Sequence, residues 1–291
     1  MKNFVSISIL FIILILQSCS SSLNSTKSSE GEAFYQSENY EAALNYWEQI
    51  IESKGSRTKA PVYVGAGKSA LALDDVDMAR YYLEQAKASG YSSPEMYEAL
   101  AIVYGSVDNL SKEITTLEMY REKYPQGENI NSISARLLET YVESENWELG
   151  VALWPSIENQ AQTNVNVLAN YLIINKNLDK TAECDKLAKQ ILKLETNNIT
   201  VLEYYAEKYF WRAENLYVTE MNAYKKKKTS SQYKKLLKAL EQVWPNFKKS
   251  RTYFLRLYKI NPKKEYAKYL GKIYTRYDDK QKAAYYKKKA K

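Results

Sequence analysis

The sequence predicts an all-α protein: a solenoid of about six to seven antiparallel helix pairs, with one enlarged pair near residues 199–262. Three observations carry that expectation. Nine glycines and six prolines in 291 residues are few turn formers for a strand-rich or loop-rich fold. Of the aromatic residues, 27 are tyrosine against 5 tryptophan and 6 phenylalanine, a side chain that fills helix interfaces while keeping a polar tip in water. Above all, one set of residues returns at fixed offsets along most of the chain, and internal repeats decide the fold before any local reading does.

The first residues read as an address. Lys2 precedes an apolar run at 4–16 that is too short for a membrane span of about 20 residues and suits the hydrophobic core of a signal peptide. Leu16, Gln17, Ser18 and Cys19 follow. This resembles a bacterial lipoprotein lipobox, with Gln17 departing from the small or aliphatic residue usual there. The resemblance implies a signal peptide over 1–18, cleavage before Cys19, acylation of that thiol, and a lipid anchor in the cell envelope. Ser20 after the lipidated cysteine goes with outer-membrane sorting in such lipoproteins. The alternative is an uncleaved N-terminal anchor with an incidental cysteine. Residues 19–30, rich in Ser, Thr and Asn, read as a flexible tether.

The repeat governs the rest. Gly31, Phe34, Tyr40, Ala43 and Trp47 set offsets of 3, 9, 12 and 16 residues. Gly67, Ala70, Val76, Ala79 and Leu83 repeat them; Ala101, Tyr104, Leu110, Glu113 and Leu117 follow, with Pro125 closing the unit; then Leu138, Tyr141, Trp147, Gly150 and Trp154. Near the end, Gly271, Tyr274, Lys280, Ala283 and Lys287 keep the same spacing. A small residue at the first position lets two helices approach, and the aromatic three residues on shares its face. Asn39, Asp75, Asn109, Asn146 and Asp279 fall between paired helices, where their side chains favour a turn. The pattern resembles the tetratricopeptide repeat, a helix–turn–helix unit of about 34 residues.

Residues 31–198 are therefore read as tetratricopeptide-like repeats and 263–291 as a final unit. The stretch 164–197 fits only with a lengthened turn between Asn177 and Thr181, which brings Cys184, Ala188 and Ile191 onto a second helix. Residues 199–262 are read as an extended basic helical pair, or a pair plus an extra helix, with Pro245 expected to kink or restart its second helix.

Composition excludes much chemistry. With no histidine there is no Ser-His-Asp triad, Cys-His dyad or HExxH site, and two cysteines cannot make a four-cysteine metal site. Gly65, Ala66, Gly67, Lys68 and Ser69 suggest a phosphate loop, but Val62 stands where its first glycine must be. The carboxylate pairs Glu139/Glu143 and Glu203/Glu207 lie one helical turn apart with nothing beside them to raise them above solvated charges. No catalytic residue, metal site or cofactor is expected.

Charge is polarised. Residues 1–200 hold 17 basic and 26 acidic groups, and residues 201–291 hold 25 and 8, so the net +8 is the sum of −9 and +17. Lys225, Lys226, Lys227 and Lys228 are the densest cluster. They imply either solvation of a tyrosine-rich helix pair or a surface for an anionic partner such as lipid headgroups or cell-wall polymer. Nucleic acid is not an expected partner for an exported chain. In tetratricopeptide proteins, ligands lie along the face of the first helices. Carried over by register, that resemblance implies partner-binding positions at Lys68, Glu139, Glu143, Lys268, Lys272 and Arg276. The expected function is a lipid-anchored, non-catalytic scaffold for protein partners at the bacterial cell envelope, with binding of an anionic surface as the alternative.

Overall fold

The computed structural model describes residues 30–291; Cys19, the lipobox and the tether lie outside them. Every regular element among the described residues is helical. They fall into two compact units, divided between Ser144 and Glu145.

The first unit holds α1 (30–36), α2 (Tyr40–Lys54), α3 (Ala60–Ala72), α4 (Val76–Ala88), α5 (Pro94–Ser106), α6 (Leu110–Lys123) and α7 (Ile130–Glu143). From α2 onward each helix packs on the next, and the first helices of successive pairs also touch, α3 on α5. The small residues explain the approach. A Cβ on Gly31 would stand 2.5 Å from the Trp47 ring, and one on Gly67 2.6 Å from Leu83, so each glycine receives the bulky residue sixteen positions later. Ala43, Ala79, Leu83 and Leu117 are buried at other pattern positions.

The second unit holds α8 (Trp147–Leu153), α9 (Glu158–Ala161), α10 (Val165–Asn177), α11 (Thr181–Leu194), α12 (Ile199–Lys226), α13 (Ser230–Ile260), α14 (Lys264–Arg276) and α15 (Lys280–Lys289). The short α8 runs into a 3-10 turn at Trp154–Ser156, where Pro155 follows, and Trp154 stacks on Tyr171 of α10 at 3.8 Å. Residues 199–262 carry a single long pair, α12 of 28 residues and α13 of 31. Of the two outcomes expected at Pro245, a kink or a restart, the restart does not occur: α13 runs through it. Val243 and Phe247 are buried on either side of it and Trp244 stacks on Tyr277, so packing carries the helix across the hydrogen bond that proline removes.

The turns repeat as closely as the helices. Glu38, Asp74, Asp108, Glu145, Asp179 and Asp278 all have positive φ, between 52° and 62°. Asp and Asn tolerate that region better than most residues. The residue after each opens the second helix: Asn39, Asp75, Asn109 and Asp279 accept from the N–H three residues on. Asp179 shows that the turn at 178–180 has this same length, which corrects the expectation of a lengthened one. The fifth unit then begins at Leu172, with Cys184 twelve residues on, its thiol facing the Leu172 carbonyl at 3.9 Å.

Successive pairs are tied by tyrosine–carboxylate bonds. The hydroxyls of Tyr82, Tyr104 and Tyr141 donate to Glu48 (2.8 Å), Glu84 (3.0 Å) and Glu118 (2.7 Å), acceptors that lie seventeen residues after Gly31, Gly67 and Ala101. Tyr204 donates to Asp185 and Tyr266 to Glu203 in the second unit. Burial first, and the carboxylate second, pushes all five phenols above the usual tyrosine value. Because the unfolded chain ionises near pH 10 and the folded phenols later, their contribution to stability is whole below about pH 10 and falls as pH rises beyond it. In an alkaline titration, part of the phenolate absorbance is expected to appear only together with loss of helical circular dichroism. Smooth ionisation of all 27 tyrosines with helix content intact would contradict this.

Candidate functional site

The pattern places the residues one and five positions after the start of each unit on one face of the first helix in a pair. On α5 these are Ile102 and Ser106, and on α7 Glu139 and Glu143. Between α5 and α7 the first unit opens a cleft of about 600 Å3 lined by Glu98, Ala101, Ile102, Gly105, Ser106, Glu113, Leu117, Asn129, Ser132, Ile133 and Arg136. Its floor is apolar, from Ala101, Leu117 and Ile133, and Ile102 stands 57% exposed.

The wall is ionic, for a reason rooted in the repeat. Glu113 occupies the position held by Ala43, Ala79 and Ala283 in other units, and it is buried, 1% exposed. Gly105 makes the room: a Cβ there would lie 3.2 Å from both Glu113 oxygens. Arg136 reaches from α7 and donates to Glu113 from Nε at 2.6 Å and from Nη2 at 3.1 Å. Its Nη1 also lies 3.0 Å from Glu139 and 3.1 Å from Glu143. The Glu113 hydrogen bonds hold the guanidinium proton above the usual arginine value against the opposing effect of burial. Three carboxylates share one cation, and the acidic residues that line the cleft itself are Glu98 and the buried Glu113, beside an apolar floor.

The other predicted positions are not among the residues that line it. Lys68 on α3 is half-buried, with its ammonium 3.9 Å from Glu32 and 4.5 Å from the Tyr35 ring centre. Lys268, Lys272 and Arg276 share α14 in the second unit. Lys268 is exposed, and the Lys272 ammonium lies 5.9 Å from the Phe210 ring centre. Arg276 is taken up by Glu214, with Nε at 2.9 Å, and sits 4.5 Å over the Tyr217 ring. Lys225, Lys226, Lys227 and Lys228 are exposed where α12 meets α13. Of the six register positions, the structure brings Glu139 and Glu143 together around Arg136, which sequence reasoning missed along with Glu98, Ile102 and Glu113. The available signal was a glutamate at a small-residue position, which needs a cation within reach.

Gly65 to Ser69 lie within α3, where the Ser69 hydroxyl donates to the Gly65 carbonyl at 2.8 Å, so this segment is helix and not a phosphate-cradling loop. Glu203 and Glu207 serve separate partners, Tyr266 and Lys176. Burial pushes the Cys184 thiol up to about 11, which disfavours the nucleophilic thiolate.

No protein-family model matches the sequence, and no curated protein is significantly similar to it. Solved structures do match in shape. The C-terminal part of a tetratricopeptide repeat-containing protein from Cytophaga hutchinsonii superposes with a TM-score of 0.52 at 15% identity, covering 90% of this chain and 93% of that one. YrrB, a tetratricopeptide repeat protein with an unusual peptide-binding site, gives 0.52 at 13% identity over 60% and 87% of the two chains. MamA gives 0.53 at 14% identity over 60% and 93%. The fold is thus an all-α, tetratricopeptide-type solenoid.

The ionic wall predicts an asymmetry. Arg136→Ala leaves the buried Glu113 carboxylate without its bidentate partner and is expected to cost about 3 kcal/mol, the lower end for breaking a buried pair because Arg136 is partly exposed. Glu113→Ala restores the small residue of the other units and leaves Arg136 paired with Glu139 and Glu143, so its cost in denaturant unfolding is expected to be smaller by more than about 1 kcal/mol. Equal losses would show that Glu113 does not depend on Arg136.

Proposed function

We propose that the chain is a non-catalytic scaffold that binds a protein segment along the first-helix face, in the cleft between α5 and α7, and is held at the bacterial cell envelope by lipid on Cys19. The observation that carries the binding reading is the cleft itself. It sits on the face the repeat presents, with an exposed Ile102 over an apolar floor and the Glu98 carboxylate among its lining residues. An extended segment with one apolar side chain for the floor and basic groups for Glu98 is the occupant this chemistry suits. That the similarly folded YrrB has a peptide-binding site agrees with the reading. The anchor rests on Lys2, the apolar run at 4–16 and the sequence ending at Cys19; an outer-membrane location rests on Ser20.

Two measurements test the parts separately. A photo-crosslinking residue at position 102 in cells is expected to join one recurring partner, and Glu98→Lys is expected to weaken that crosslink at least tenfold by placing a cation against the partner's basic groups. A partner whose yield is unchanged by Glu98→Lys would remove the cleft reading. Cys19→Ala is expected to move the protein from the membrane to the soluble fraction; retention in the membrane would favour an uncleaved N-terminal anchor.

A further inference from the structure

The second unit carries a feature that the cleft does not use. In other pairs the helices have 15 residues or fewer, whereas α12 has 28 and α13 has 31. Their inner halves belong to a core with α14 and α15, built on Phe210, Phe247, Phe254 and Leu270. The Arg276–Glu214 pair and the Trp244–Tyr277 stack mark where α14 ends against them. Beyond that, residues 218–242 form a two-helix overhang whose buried residues are Leu236 and Ala239 alone. At 1.5 Å per residue the free end extends about 20 Å.

Its surface has two properties together. Lys225, Lys226, Lys227, Lys228, Lys234, Lys235 and Lys238 are all exposed, none forms an ion pair among the described residues, and Glu220, which accepts from Gln232, is the one acidic residue between positions 215 and 240. Among these lysines stand large apolar side chains open to solvent: Tyr233 at 47% and Leu237 at 45%, one helical turn apart on α13. Lysines that only kept the hairpin soluble would leave the exposed Tyr233–Leu237 pair unexplained. A soluble polyanion would use the charge and not that pair.

We propose that the free end of the α12–α13 hairpin docks on an anionic lipid bilayer, its lysines over the headgroups and Tyr233 and Leu237 entering the interface. Clusters of four to eight lysines beside an amphipathic helix suit such surfaces, and tyrosine and leucine reach the interfacial zone while lysine heads remain in water. This inference rests on neither the cleft nor the lipid on Cys19.

The test uses the full chain with Cys19→Ala and Leu237→Cys, carrying a polarity-sensitive fluorophore on residue 237, since Cys184 is buried. The leader carries Lys2 and no acidic residue, so it can itself favour anionic vesicles, and a label at a second position separates its binding from the hairpin's. The label is expected to shift to the blue on vesicles containing phosphatidylglycerol and not on phosphatidylcholine alone. The shift is expected to vanish near 1 M salt, where the screening length is about 3 Å, and in the variant Lys226→Glu/Lys227→Glu/Lys234→Glu/Lys238→Glu. A label at Glu52→Cys on α2 is expected to stay unchanged, and soluble polyglutamate to give no shift. The proposal is overturned by equal shifts on both vesicle types, by no shift on either, by a response at position 52 equal to that at 237, by polyglutamate matching phosphatidylglycerol, or by a shift that survives charge reversal. If the fourfold variant loses helix, the salt series on the parent chain decides.

Discussion

The separation between the two helices of a pair is the constraint on which the rest of this structure depends. Where the first position of the repeat is glycine, the ring of Trp47 or the branch of Leu83 occupies the space a Cβ would take. That contact orients the first helix so that its +1 and +5 positions face outward together. The tyrosine–carboxylate bonds then tie each pair to its neighbour at the same register, from Glu48, Glu84 and Glu118. A buried phenol donating to a carboxylate satisfies both groups, so the interface can be tight and polar at once.

The cleft arises where this constraint is relaxed. Glu113 cannot sit against a neighbouring helix as Ala79 does, and the space at Gly105 and the reach of Arg136 accommodate it. The result is a gap between α5 and α7 with charge fixed along one edge. A departure from the repeat thus becomes the most chemically distinctive place in the first unit. The second unit departs differently, by lengthening one pair until its outer half buries only Leu236 and Ala239 among the described residues. Net charge follows the same division: residues 30–144 carry −9 and residues 145–291 carry +15.

Much of this could be read in the sequence, because the spacing of Gly67, Ala79 and Leu83 is itself the geometry of helix approach, and because Asn39, Asp75, Asn109 and Asp279 are turn-forming residues at the places where second helices begin. The fifth pair was harder. Its first position is Leu172 and its second-helix cap is Lys180, neither of which announces the role, so the turn looked too long when it has the common length. The helix does not restart at Pro245 because the local cost of about 3 kcal/mol is outweighed by the packing of Val243, Trp244 and Phe247, which depends on partners far along the chain. Arg136 was invisible for a similar reason: it lies two residues before Leu138, off the +1 and +5 positions, and its importance comes from a carboxylate on another helix.

The central claim is that the face presented by the first helices is where a partner binds. Hydrogen exchange of the chain, alone and with the partner crosslinked at position 102, tests it directly. Binding in the cleft predicts slowed exchange concentrated in 98–106 and 129–136, the stretches that line it. Protection confined to α4 and α6, with α5 and α7 unchanged, would contradict it.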